Sequence, residues 1–285
     1  MRKLGFLGGG NMAEALMRGL LTKKMFRPAE LIASDVDAGR RRKLKRQLKI
    51  ETTADNRLVM REAPAVLFAV KPQNIDEVLN DLAPLLSEVS TKVRKGEPKP
   101  LRPKDRLFIS IAAGIKIARF EQAFGAQARV VRVMPNAPAM VGQGMAALVP
   151  SSGASKADLA FALRIFRAVG EAVAVADENL IDAVTAVSGS GPAYVYLFAK
   201  ALAEAGVKEG LDARMAMAMA QQTIRGAEET LRRSPMSADE LIKVVASPGG
   251  TTEAALRKFA ELGFSDIVAE AVQAAARRSR ELGGN

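Results

Sequence analysis

The sequence has no cysteine, no histidine and no tryptophan, and only two tyrosines. Without cysteine it can form no disulfide, no zinc–thiolate site and no thiol nucleophile. That fits a cytoplasmic protein, which is the expected location. Without histidine, the commonest general acid–base and the commonest metal ligand are both missing, and no metal site is expected. Catalysis would have to use Lys, Asp, Glu, Ser, Thr or Tyr, or let a cofactor and substrate carry the chemistry. Long apolar runs are lacking too. Met1-Arg2-Lys3 and the apolar residues after it resemble the start of a signal peptide, but Gly8, Gly9, Gly10, Asn11 and Glu14 break the run. No stretch reaches about 18 uninterrupted apolar residues, so no membrane span is expected.

What is present is enough to fold. The chain has 285 residues, 48% of them hydrophobic, which suits two domains. Its net charge of +11 is uneven: +13 falls on residues 1–177 and −2 on residues 178–285. Arg40 to Lys49 holds seven basic residues and no acid, and Lys92 to Arg106 holds seven against two. A basic surface can mean nucleic acid, but with so few aromatics to stack bases no nucleic-acid partner is expected. A solvated helix face and a solvated loop explain the charge as well.

The pattern changes once along the chain. Strand-like segments at 3–7, 31–34, 65–70, 107–111, 130–133, 146–149 and 172–175 alternate with helical spacing, which predicts a doubly wound, mostly parallel sheet. Lys95 to Pro103 reads as an exposed excursion. After Asp177 the strands stop. Helices are expected at 178–187, 192–205, 213–232, 238–245, 253–261 and 266–282, with a capping box at Ser237 and Glu240 and C-terminal caps at Gly206 and Gly263. The expected domains are therefore 1–177 and 178–285. The helix carrying Met215, Met217 and Met219 is apolar on more than one face and should be buried on two sides.

Several motifs suggest chemistry. Gly8-Gly9-Gly10-Asn11-Met12-Ala13 follows a strand and opens a helix, the G-x-G-x-x-A pattern that brings a pyrophosphate to a helix N-terminus. Asp35, at the end of the second strand, could bond both ribose hydroxyls and favour NAD, or it could cap the next helix. Arg40, Arg41, Arg42 and Lys43 could instead bind the 2′-phosphate of NADP. Ala69-Val70-Lys71-Pro72 and Met134-Pro135-Asn136-Ala137-Pro138 end later strands, where ligands of open α/β sheets lie. Ser188-Gly189-Ser190-Gly191-Pro192 and Ser247-Pro248-Gly249-Gly250-Thr251-Thr252 pair glycines with hydroxyls at helix starts, as an anion site suited to a carboxylate would.

Together with Ser110-Ile111-Ala112-Ala113-Gly114, Arg132 to Asn136 and Asp182-Ala183-Val184-Thr185, these motifs stand in the order and approximate spacing of pyrroline-5-carboxylate reductase, and the chain resembles that family over nearly its whole length. It departs from the family at Ala137, often Thr there, and at Lys92 to Lys104, which looks like an insertion. The resemblance implies a Rossmann domain followed by an all-α dimerisation domain. It implies reduction of the cyclic imine 1-pyrroline-5-carboxylate to L-proline with NADPH or NADH. The implied cofactor contacts are Gly8, Gly10, Asn11, Met12, Ser34, Asp35, Asn56, Ala69, Val70, Lys71, Pro72, Ala112, Met134 and Asn136. Ser247, Gly250, Thr251 and Thr252 would hold the substrate, with Thr252 the catalytic candidate at the ring nitrogen.

A protonated imine is already electrophilic, so hydride transfer needs alignment more than a strong acid, which suits a chain without histidine. The helical domain is expected to form an obligate homodimer whose interface helps build the substrate site; assembly into a higher oligomer of dimers is left open. Competing readings are a related imine or hydroxyacid oxidoreductase and a cofactor-sensing protein without turnover. The former would need a base for an alcohol, and Lys200, Lys208, Lys243 and Lys258 stand in no persuasive motif.

Overall fold

A computed structural model describes residues 2–86 and 101–284. Most of the basic insertion expected at Lys92 to Lys104 therefore lies outside the described residues. By contacts the chain divides into two compact units, residues 1–189 with 276–285, and residues 190–275.

The first unit is built on an eight-stranded sheet. Its strands are β1 (Leu4–Leu7), β2 (Leu31–Ser34), β3 (Glu51–Thr53), β4 (Ala65–Phe68), β5 (Leu107–Ser110), β6 (Arg129–Pro135), β7 (Gly144–Pro150) and β8 (Gly170–Ala174). They lie in the order β3-β2-β1-β4-β5-β6-β7-β8, parallel except for the antiparallel pair β6–β7. The mostly parallel Rossmann sheet expected from the sequence is present. The edge strand β3 is an addition to that expectation, because Glu51-Thr52-Thr53 is short and polar.

Every residue of β1, β2, β4 and β5 is buried, as strands covered on both faces require. Side chains alternate between two cores. Leu4 and Phe6 join the one closed by α1 (Asn11–Thr22), α2 (Ala38–Leu48) and α6 (Lys156–Arg167). Leu7, Val66 and Phe68 join the other, closed by α3 (Asn56–Glu62), α4 (Ile75–Leu82), α5 (Ile117–Phe124) and α7 (Leu180–Val184). In the second core, Phe68 meets Phe120 edge-on with ring centroids 5.0 Å apart.

The division by contacts is displaced from the sequence boundary at 177/178. Strands do end at Ala174, but Ile181 of α7 is buried in the sheet unit's core, and a π-helical turn, Thr185–Gly189, continues that unit. The contact division thus groups α7 with the sheet although no strand follows Ala174.

The second unit holds α8 (Gly191–Lys208), α9 (Ala213–Arg233), α10 (Ala238–Val245), α11 (Thr251–Glu261) and most of α12 (Phe264–Leu282). Its buried cluster is only Ala203, Ala216 and Ala220, with Met217 packed against them. Leu197, Met215, Met219, Val245 and Ile267 are exposed in the single chain. So small a core cannot offset the entropy of ordering this many residues, and the uncovered apolar faces belong against another protein surface. The Ser237–Glu240 capping box is formed. Gly263 takes the left-handed φ of +68° just past α11, as expected. The cap expected at Gly206 is not there: α8 continues to Lys208, and Gly210 is the left-handed residue, at φ +96°. Gly206 is instead a close-packing position, where a Cβ would stand 3.1 Å from Leu211 Cδ1.

Candidate active site

Strand order reverses at β1, whose neighbours are β2 and β4. At such a switch point the loops at the carboxyl ends of adjacent strands splay apart and leave a crevice for a ligand. Here those loops begin at Gly8 and Ala69. Gly8 has φ +94°, and a Cβ on it would lie 2.7 Å from the Ala69 carbonyl oxygen, so only glycine fits the turn and the approach together. Gly10, the residue before α1, faces open space: a Cβ there would meet nothing within 4 Å. The first N–H groups of α1 have no side-chain cap, in contrast to α2, α3 and α6, which are capped by Asp37, Asp55 and Ser155. An open glycine before uncapped donors is a cradle that fits a pyrophosphate.

The glycine loop is held from the side by the loop after β2. The Gly9 N–H donates to Asp35 Oδ2 at 2.8 Å, and the Asp37 N–H donates to Asp35 Oδ1, also at 2.8 Å. Arg40 completes the hold. Its Nε donates to the Gly9 carbonyl, its Nη2 donates to Asn11 Oδ1 at 2.9 Å, and it pairs with Glu14. Glu14 also takes ion pairs from Arg18 at 3.0 Å and Lys43 at 2.8 Å. Burial acts upward on its pKa, yet hydrogen bonds from Lys43 and Arg18 and the charges of Lys43 and Arg40 hold the carboxyl below its usual range.

These contacts exclude one reading the sequence left open. Asp35 does not cap α2; Asp37 does, accepting from the Arg40 N–H. Arg40 and Lys43 are spent on the glycine loop and Glu14, and Arg41 donates to the Asp35 carbonyl at 2.7 Å. Arg42 stays exposed. Ser34 is fully buried, and its hydroxyl donates to Asn56 Oδ1 at 2.6 Å, so it acts by orienting Asn56.

A second group gathers at the carboxyl ends of β5 and β6. Ala112 is buried, in a turn where its N–H meets Ser110 Oγ at 3.3 Å. Asn136 Nδ2 donates to the Ser188 carbonyl at 3.2 Å, and Asn136 Oδ1 accepts from the Met145 N–H at 2.8 Å. Both ends of that amide are thereby used to fix the loop. Met134 lies against Gly189, where a Cβ would come within 2.5 Å of its methyl carbon. The Ser188–Pro192 segment is thus not the open anion-binding loop read from its glycines, because Thr185–Gly189 is a π turn and α8 begins at Gly191. Sequence reasoning also missed a part-buried ion pair on β6. Arg132 Nη1 donates to Glu178 Oε1 at 2.7 Å, and the same oxygen accepts the Ile117 N–H.

In the second unit, Ser247 to Thr252 does form an open helix start. Gly250 precedes α11 with no side-chain cap, and Gly249 is left-handed at φ +72°. A Cβ at Gly250 would stand 2.9 Å from the Ser247 carbonyl oxygen, so a side chain there would crowd the turn. Two donors are already taken: the Gly249 N–H bonds to Glu253 Oε2 at 2.7 Å and the Gly250 N–H to the Ser247 carbonyl at 3.0 Å. Thr251 is exposed and Thr252 half-buried. Among the described residues no helix is long and apolar enough to cross a membrane.

Comparison with known proteins agrees with this arrangement. Residues 178–282 match the family described as pyrroline-5-carboxylate reductase dimerisation, and residues 3–91 match NADP oxidoreductase coenzyme F420-dependent. The chain is 40% identical to the pyrroline-5-carboxylate reductase of Synechocystis, over 99% of this chain and 98% of that one. Among solved structures, a pyrroline-5-carboxylate reductase from Coxiella burnetii superposes with a TM-score of 0.89 at 33% identity, covering 99% of this chain and 98% of that one. The Plasmodium falciparum pyrroline carboxylate reductase with NADP bound gives 0.82 at 30% identity, with the same coverage.

Proposed function

The chain belongs to the pyrroline-5-carboxylate reductase family, and from that premise we propose how its own residues carry the reaction. It is an NAD(P)H-dependent oxidoreductase that reduces 1-pyrroline-5-carboxylate to L-proline, the last step of proline biosynthesis, and it works as a homodimer through its helical unit. Cytoplasmic location is part of the proposal.

When bound, the nicotinamide supplies the hydride. Gly8, Gly10, Asn11 and Met12 cradle the pyrophosphate at the start of α1, while Asp35, Asn56 and the basic stretch after β2 face the adenosine ribose. Ala69, Val70, Lys71 and Pro72 flank the nicotinamide ribose, and Ala112, Met134 and Asn136 set the nicotinamide's face. Ser247, Gly250, Thr251 and Thr252 take the substrate carboxylate and ring nitrogen. Hydride addition to a protonated imine leaves a neutral amine, so that step requires no further proton. Positioning is then the main demand, and ideal positioning can remove about 7–11 kcal/mol of a barrier. The Thr252 hydroxyl holds the nitrogen without having to titrate, which meets the lack of histidine.

The observation that carries this reading is the pairing of two glycine-gated, uncapped helix starts, at Gly10 and at Gly250, in a chain with no imidazole. Steady-state oxidation of NADPH and of NADH tests it. Oxidation that depends on added 1-pyrroline-5-carboxylate supports it. Tight cofactor binding with no turnover on the imine would make the protein a sensor instead.

A further inference from the structure

The last turns of α12 belong to the sheet unit, whereas the helix up to Ala275 belongs to the helical unit. Ser279 is buried, and its hydroxyl donates to Asp182 Oδ1 at 2.6 Å, across 97 residues of sequence. Three residues further on, the chain end lies against Gly114. A Cβ on Gly114 would stand 3.1 Å from the Leu282 carbonyl oxygen, and one on Gly283 would stand 3.5 Å from the Gly114 oxygen. Gly114 is left-handed at φ +76°, so the turn after β5 is both shaped by glycine and closed from outside by the chain end. Within the segment, the Gly283 N–H bonds to the Ser279 and Arg280 carbonyls and the Gly284 N–H to the Glu281 carbonyl.

Asp182 and Gly114 lead to the two loops beyond β5 and β6. Asp182 sits in α7, which runs into the Thr185–Gly189 turn that holds Asn136 and Met134. Gly114 closes the turn that carries Ala112, whose carbonyl accepts the Ile115 N–H at 3.3 Å. A single short segment therefore touches the supports of both loops. A buried serine hydroxyl aimed at a carboxylate is not needed to end a helix, and residues 282–283 pack closely on Gly114.

We propose that residues 279–284 form a brace that fixes the Ala112 turn and the Met134–Asn136 loop at their working separation, with Ser279 as its positioning residue. The proposal rests on the reading that Ala112 and Met134 set the nicotinamide's face. Ser279 touches neither substrate nor cofactor and acts through Asp182. Loosening it lets the acceptor face drift, which slows hydride transfer more than it weakens binding.

The test uses the full-length dimer and compares Ser279→Ala, Asp182→Asn and Asp182→Ala, with Ala112→Val as a control. Losing one part-buried hydrogen bond to a carboxylate should lower kcat about three- to tenfold in Ser279→Ala and Asp182→Ala, with KM for NADPH changed less than about twofold. The deuterium isotope effect on kcat from labelled cofactor should rise, because hydride transfer becomes more rate-limiting. Asp182→Asn keeps an acceptor oxygen and should retain most of the rate. A drop in Tm with unchanged kcat and isotope effect in Ser279→Ala would overturn the brace and leave a purely structural contact. If Ala112→Val changes neither kcat nor cofactor KM, the nicotinamide reading itself fails, whatever Ser279→Ala does. A chain ending at Arg278 should show the kcat loss of Ser279→Ala or a larger one; if it does not fold, the point variants decide.

Discussion

The Asp35 carboxylate accepts the Gly9 N–H at 2.8 Å and so joins the loop after β2 to the glycine loop before α1. Arg40 takes the other side of the same glycine at its carbonyl. A carboxylate placed like this serves both cofactors alike, because its first partner is backbone. Asp35→Ala should weaken NADPH and NADH by similar factors of about 10, the cost of a hydrogen bond to a charged group. Asp35→Asn keeps an acceptor oxygen and should do less harm. Cofactor titration of both variants checks this, and a loss confined to NADH would return Asp35 to the ribose hydroxyls alone.

If the basic stretch after β2 discriminates between the cofactors, the residues not already engaged should do so. Arg40→Met should weaken both cofactors, because its guanidinium holds Gly9, Asn11 and Glu14. Arg42 is exposed, and Arg42→Glu should raise KM for NADPH more than KM for NADH. Equal effects of Arg42→Glu on both would make that side chain part of a solvated helix face.

At the start of α11, Thr252→Ala should lower kcat/KM by a factor on the order of 10 to 1,000, the range for removing one positioned hydrogen-bonding group. Steady-state kinetics on a variant confirmed as a folded dimer gives the answer, and an unchanged kcat/KM would remove Thr252 from the site. Glu253→Gln is the companion experiment. It removes a negative charge held on the Gly249 N–H, next to where a carboxylate would bind. KM for the imine should fall in consequence, and a higher KM would mean that Glu253 serves mainly to hold the loop.

Stability should depend on acid in a definite direction. Glu30 is pushed down to about 2 by the Arg27 N–H and by Lys3. Burial acts upward on Asp158, but hydrogen bonds from Arg129 and Ser155 outweigh it and hold that carboxyl low as well. A carboxyl lowered on folding stabilises the protein above its unfolded pKa, and this contribution is lost as pH falls through its folded value. Unfolding free energy should therefore be level above about pH 5 and decline between about pH 4.5 and pH 2. Denaturant melts across that range check it, and Glu30→Gln should flatten part of the slope.

Local signals account for how much can be read in advance. Buried strands announce themselves by apolar composition, so Ala65 to Phe68 and Leu107 to Ser110 are plain, while the polar edge Glu51–Thr53 is not. Gly8 and Gly250 carry a steric meaning that their neighbours already suggest. Side-chain partners far apart in sequence are beyond reach. Nothing around Asp35 foretells that it bonds to Gly9 rather than capping α2, and nothing around Ser279 or Glu178 points to Asp182 or Arg132. The Ser188–Pro192 glycines read as a loop because glycine disfavours helix, yet the packed π turn held by Asn136 overrides that preference.

The most direct test follows the hydride itself. The enzyme is given 1-pyrroline-5-carboxylate and NADPH deuterated at the transferring position of the nicotinamide, and the product is followed by mass spectrometry and NMR. The expected result is proline carrying one deuterium at the former imine carbon, with one cofactor oxidised per product. Proline without that deuterium, or no cofactor oxidation in the presence of the imine, would contradict direct hydride transfer by this chain.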